Sequence, residues 1–210
     1  DLGAWMAPLQ HVTYGLGASV FLRQEGLHPV MQMVTRDRNR LAMQSEIIAA
    51  YAHGINTLLC LSGDHTCFGD HAMADNVHDI DSVQLIQMVH QMREEGKFQG
   101  GEDIDNPPKM YIGAAANPFA DPFELRVARL AKKVNAGVDF IQTQCVYNMD
   151  KLKQWLKLVV DRGLHEKCKI MVGITPMKSA PMARYMKNKV PGMDVPDELV
   201  KRMAGVEKKK

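Results

Sequence analysis

The feature that most restricts the fold of this chain is an alternation of two periods. Short apolar runs, each closed by a glycine or a polar side chain, are separated by longer stretches in which apolar residues recur three and four apart. Strands are predicted at 28–34, 56–61, 110–116, 138–144 and 170–174. Helices are predicted at 12–25, 41–53, 81–95, 123–134 and 152–159, with two short helical stretches near the end. Gly26, Gly54, Gly137 and Gly163 follow helices, as C-caps do, and Asp81 with Gln84 has capping-box spacing. Residues 1–11, with Gly3 and Pro8, read as a loop, 35–40 as a polar turn, 62–80 as a long polar loop and 96–108 as a Gly/Asp/Pro-rich connector. Strict strand-helix alternation is an α/β pattern and builds a parallel sheet covered by helices. Five such units complete a doubly wound, flavodoxin-like sheet or form part of an eight-stranded barrel, and periodicity does not choose between them.

Composition excludes several classes. With 46% apolar and 24% charged residues in a chain of 210, one large core can be buried. Net charge is +2 and the basic residues are not concentrated before the terminal lysines, which argues against nucleic-acid binding. No apolar run approaches the roughly 18 residues of a membrane span, and the first residues do not form a signal peptide. A cytoplasmic protein is expected. Cys60, Cys67, Cys145 and Cys168 are widely spaced without a CxxC pair, which fits reduced thiols. Two of them fall in apolar runs and read as small core residues, and the 15 methionines read as core gap-fillers.

The stretch from Leu58 to His65 is the one to which the rest refers. An apolar run ends there in Ser62, Gly63 and Asp64, so that a flat ligand can approach the backbone at Gly63 with Asp64 as the first charge. The other strand ends carry Gln32, Asn117, Gln144 and Thr175. In a barrel these groups converge on the face that holds the active site, although strand ends are also simply wet. His65, Cys67, Asp70 and His71 are of metal-ligating type, but their spacing fits no standard pattern and no metal site is expected. The terminal VEKKK reads as a solvated tail or a charged contact for a partner subunit.

Six stretches in register carry a resemblance: HPVMQMVTRDRNRLAMQSEI, NTLLCLSGDH, DIDSVQLIQMV, GAAANPFADP, LAKKVNAGVDFIQTQCVYN and KIMVGITPM. Over roughly residues 12–204 the chain resembles the methylenetetrahydrofolate reductase family, flavin-dependent (β/α)8 TIM barrels, and especially the forms of acetyl-CoA-pathway anaerobes. The resemblance implies one domain over residues 1–210, a partial barrel holding family strands three to seven, about five of the eight strand-helix units. It implies that Asp64 sits between flavin and pterin, where its charge disfavours an anionic reduced flavin and its oxygens accept pterin N–H groups. Gln144 corresponds to a glutamine that contacts the folate. The cofactor contacts fall on Gln32, Ser62, Gly63, Asp64, Asp79, Ala115, Asn117, Arg129, Lys132 and Lys133. Gln32 replaces a common flavin-contacting histidine, and Lys132 and Lys133 match basic positions that serve the flavin phosphate. Two lysines on a helix are, without that match, ordinary solvated charge. Asn117, Asp121, Arg126 and Arg129 depart from the family's usual residues at the adenine end, so that FAD has FMN as its alternative.

The implied reaction is hydride transfer from reduced flavin to 5,10-methylenetetrahydrofolate, giving 5-methyltetrahydrofolate. A general acid is needed at the leaving nitrogen. In the family it is a glutamate on the first barrel strand, which no stretch here matches. The chain is therefore expected to be part of a longer one, because five barrel strands alone leave two bare edges, and without the remainder neither stable folding nor turnover is expected. NADH, ferredoxin or a partner protein's iron–sulfur clusters are the candidate electron donors, and an oligomer is expected. A pterin-binding methyltransferase barrel without flavin, or a non-catalytic barrel subunit of an electron-transfer assembly, are the alternatives.

Overall fold

The computed structural model describes residues 15–69, 71–190 and 192–205. The predicted loop at 1–11, the start of the helix at 12–25, Asp70 and the lysine tail lie outside the described residues. The chain divides into two compact units, residues 1–114 and 115–210.

The first unit runs α1 (Gly15–Gln24), β1 (Met31–Val34), α2 (Arg40–Ala52), β2 (Thr57–Leu61), α3 (Ser82–Glu94) and β3 (Tyr111–Ala116), whose last two residues fall in the second unit. β2 pairs in parallel with β1 on one side, Met31 opposite Leu58, and with β3 on the other, Leu58 opposite Ile112. A flavodoxin-like sheet places its first strand between the second and third; here the second lies between the first and third, the chain-order neighbourhood of a barrel. That order decides between the two folds the periodicity allows.

One face of these strands is apolar and closed. Met31, Met33, Leu58, Cys60, Ile112 and Ala114 are each 1% exposed or less, and with Ile47 of α2 and Leu85, Ile86 and Val89 of α3 they form the core. Burying each large side chain is worth about 1.5–3 kcal/mol. Met31, Met33, Met43, Met88 and Met92 fill this core, as methionines with three rotatable bonds do. The strand predicted from 28 begins instead at Met31, because Pro29 has no N–H for a ladder. Asn39 caps α2 through the Ala42 N–H, and Asp81 with Gln84 makes the capping box predicted for α3. The connector folds more than expected, with an antiparallel bridge between Lys97 and Asp103.

The second unit contains α4 (Phe123–Asn135), β4 (Phe140–Cys145), α5 (Met149–Asp161), α6 (Leu164–Lys167), β5 (Lys169–Gly173), α7 (Ala180–Lys189) and α8 (Asp197–Ala204). β4 and β5 are parallel. Val127, Leu130 and Val134 of α4 and Leu152, Trp155 and Val159 of α5 are buried at the three- and four-residue spacing read from the sequence. The short α6 is unpredicted, since one turn displays no period. Cys60 and Cys168 are the buried thiols. Among the described residues no helix is long and apolar enough to cross a membrane.

Candidate functional site

In the first unit the β1–β2 ladder runs past the strand ends. Thr35 N donates to Leu61 O at 3.0 Å and Arg36 N to Ser62 O at 3.1 Å. Gln32, expected at a strand end, is therefore the second residue of β1, exposed and well before the last ladder bond. Ser62 is held on both sides. Its carbonyl also takes the Thr35 hydroxyl at 3.4 Å, and its own Oγ accepts Ser82 N at 3.2 Å, tying β2 to the start of α3.

Gly63 has φ of +83°, and a Cβ there would stand 3.1 Å from Arg36 Cβ and 3.3 Å from Val34 Cβ. The glycine answers a left-handed backbone and the close packing of the β1 end. Asp64 follows, exposed. Its backbone carbonyl accepts Arg36 Nη1 at 2.9 Å, and its carboxylate makes no hydrogen bond among the described residues. Arg36 is oriented in turn by Asp37, with Nε 2.6 Å from Oδ1 and Nη2 3.1 Å from Oδ2, and this pairing holds the Asp37 carboxyl below its usual range.

Asp79 stands at the N-terminus of α2. It takes Arg40 Nε at 2.7 Å, Arg40 Nη2 at 3.0 Å and the Arg40 backbone N–H at 3.0 Å. These charge-assisted bonds bring its pKa down to about 2. Of the suspected metal group, His65 accepts Cys67 N on Nδ1 at 3.2 Å and lies 3.1 Å from Asn76 Nδ2 on Nε2, an arrangement of loop hydrogen bonds. Among the described residues no group of three or more His, Cys, Asp and Glu could hold a metal ion.

In the second unit the end of β3 meets α4. Lys133 Nζ donates to the Ala115 carbonyl at 2.5 Å, joining two residues that the sequence assigned to the cofactor. Arg129 and Lys132 are exposed on the same helix. Asn117 is engaged through both ends of its amide: Oδ1 accepts Phe119 N at 2.9 Å and Nδ2 donates to Gly192 O at 3.1 Å. Arg126 is committed to the carbonyls of Ala120 and Asp121, at 2.9 and 2.6 Å.

At the end of β4, Gln144 is exposed, its Oε1 3.3 Å from Cys145 N. Around it is a neutral network. Thr143 Oγ1 bonds Gly173 N and Gln144 O, Cys145 Sγ lies 2.9 Å from Thr175 Oγ1, and Tyr147 donates to Thr175 O at 2.8 Å. Burial, helped by Cys145, raises the Tyr147 pKa, so the phenol stays a donor at neutral pH. Asp194 collects Asn148 Nδ2 at 3.3 Å and Lys151 Nζ at 2.6 Å.

Sequence reading missed Arg36, Arg40, Thr143 and Tyr147. A signal existed for the arginines, because three of them, Arg36, Arg38 and Arg40, fall at alternate positions with Asp37 among them directly after a strand. The hydroxyls had none. A cavity of about 570 Å³ opens elsewhere, between α2 and the 98–102 turn, against Leu41, Ile48 and Phe98. Its amide, Gln44, is engaged with Arg40 O and Gln99 N.

The fold has known counterparts. A structure of an uncharacterized protein from Clostridium thermocellum, which binds two copies of 5-methyl-5,6,7,8-tetrahydrofolic acid, superimposes with a TM-score of 0.51 at 17% identity, over 85% of this chain and 54% of that one. The chain thus spans about half the length of that protein. The family model described as methylenetetrahydrofolate reductase matches residues 9–210. With its parallel strands in chain order and a helix after each, this chain belongs to the methylenetetrahydrofolate reductase family and is an α/β fold with five units of a (β/α)8 barrel.

Proposed function

We propose that this chain forms part of an enzyme that reduces 5,10-methylenetetrahydrofolate to 5-methyltetrahydrofolate with a bound flavin. The observation that carries the reading is the Gly63–Asp64 turn at the end of β2, in a chain matched to the family over residues 9–210. Arg36 fixes the Asp64 backbone and leaves its carboxylate exposed, able to accept the amino and amide N–H groups of a pterin. Gln144 offers both a donor and an acceptor to the same class of heterocycle. That the Clostridium thermocellum protein of this fold binds 5-methyl-5,6,7,8-tetrahydrofolic acid supports a reduced folate as ligand.

The chain's donor set suits an anionic cofactor. Arg129, Lys132 and Lys133, at three- and four-residue spacing on α4, would meet the phosphate of FAD or FMN. Asn117 and Arg126 are committed to backbone partners, which favours the shorter FMN. Gln32, Ser62, Gly63, Asp79 and Ala115 complete the proposed cofactor contacts, Ser62 and Ala115 through backbone already fixed by Arg36 and Lys133. A bound flavin supplies the hydride to the one-carbon bridge. The protein's part is to align the folate and to hold negative charge at Asp64. NADH or an iron–sulfur partner protein supplies the electrons.

The test is an absorbance spectrum of the purified native protein, followed by addition of 5-methyltetrahydrofolate. Flavin bands that bleach on addition are expected. A colourless protein that binds the folate would point to a methyltransferase barrel, and one that binds neither would leave a scaffold.

A further inference from the structure

The β4–β5 ladder contains one extra residue. From Gln142 to Cys145 β4 advances three positions, while β5 advances two, from Met171 to Gly173. Bulges are rare in parallel pairs, and they re-aim a side chain. Thr143 and Gln144 stand there against Val172 alone.

One side chain satisfies the backbone that this irregularity leaves. Thr143 Oγ1 accepts Gly173 N at 3.0 Å and donates to the Gln144 carbonyl at 2.9 Å. A hydroxyl has one proton and two lone pairs, so it can do both at once. Thr143 is 4% exposed, so water has little access to replace it. Across the ladder a Cβ on Gly173 would stand 2.7 Å from Thr143 O and 3.3 Å from Gln144 C and O. The two strands approach too closely there for any side chain. Beyond the bulge, Val146 N bonds Gly173 O at 2.9 Å, and Thr175 holds Cys145 and Tyr147. The irregularity is therefore fixed from both sides, while the Gln144 amide itself keeps only a 3.3 Å contact with its neighbour's N–H.

We propose that Thr143 is a positioning residue: its hydroxyl, with Gly173 opposite, holds the bulge that determines where Gln144 presents its amide. The amide so placed would meet a ligand edge that offers adjacent donor and acceptor groups. This rests on the reading of Gln144 as a ligand contact.

The experiment is calorimetric titration of the native protein with 5-methyltetrahydrofolate in a double-mutant cycle. Gln144→Ala and Thr143→Val are each expected to weaken binding about tenfold, and the double variant to lie within about twofold of Gln144→Ala. Thr143→Ser, which keeps the hydroxyl, is expected to bind within about threefold of the parent. Wild-type affinity in Thr143→Val beside a weakened Gln144→Ala overturns the positioning role alone, and so does an undiminished Thr143→Val effect in the Gln144→Ala background. An unchanged Gln144→Ala sinks the ligand reading on which it rests. Should Thr143→Val fail to fold, the Gly173 amide resonance of the parent decides: it moves on adding the folate if the bulge carries Gln144, and its failure to move overturns the proposal.

Discussion

At the ends of β1 and β2 the polar side chains are ionic, with Arg36 held between Asp37 and the Asp64 carbonyl and Arg40 on Asp79, whereas at the ends of β4 and β5 hydroxyl, thiol and amide groups are joined without charge. The ionic set is exposed, so solvent and salt weaken each pair. What it keeps is a negative charge at a fixed place. The neutral set is half-buried and satisfied group by group, which fixes geometry regardless of salt. Charge is thus presented at the ends of β1 and β2, and hydrogen-bond shape at the ends of β4 and β5.

The sharpest break in that comparison is Asp64→Asn. Removing the charge while keeping shape is expected to slow bleaching of the bound flavin by 5-methyltetrahydrofolate about 10²-fold, read in a stopped-flow trace. A rate within threefold of the parent would make the ionic set structural only.

Next in size are the two glycines, which serve different needs. Gly173→Ala drives a methyl into backbone and is expected to cost about 1–3 kcal/mol in urea unfolding. Gly63→Ala forces an L-residue to positive φ and is expected to cost about 1–2 kcal/mol. A neutral result at Gly173 would mean that the β4–β5 approach relaxes, removing the rigidity attributed to the second unit.

The smallest effect concerns acid. Asp79 has its pKa lowered from 3.8 to about 2 by Arg40, and Asp37 is lowered by Arg36. A folded pKa below the unfolded one means that the unfolded chain binds protons first. The contribution is complete above the unfolded value and is lost as pH falls through the folded one. Between pH 4 and about 2, exchange of the Arg40 amide should accelerate beyond its intrinsic pH trend, while the Gly173 amide, bonded to a hydroxyl, should follow that trend. A carboxyl midpoint of Asp79 near 3.8 by NMR would show that the pair does not form in solution.

Much of this is legible in the sequence. The alternation of periods gave the α/β class, and Asp81 with Gln84 announced the start of α3. Barrel neighbourhood was not legible from period, because both candidate folds share it; only the pairing of β2 with β1 and β3 distinguishes them. Gln32 lies before its strand end, because β1 closes at Val34 as the apolar run does and its ladder continues to Arg36. The bulge was invisible for a similar reason. Thr143 is buried between exposed Gln142 and Gln144, so β4 keeps its period of two while its register against β5 slips.

The bond from Ser82 N to Ser62 Oγ closes the mouth of the segment between β2 and α3, and Val77 and His78 return to pair with Arg36 and Thr35. What lies between, including Phe68 and Met73 at 80% and 94% exposure, hangs from anchors that do not depend on its length. Doubling such a loop costs only about 0.6 kcal/mol in closure entropy. Descendants of this chain can therefore rewrite that stretch, by insertion or wholesale replacement, and leave the sheet and the turn that bears Asp64 as they are. The surroundings of the Asp64 carboxylate become the part of the molecule most open to evolutionary trial.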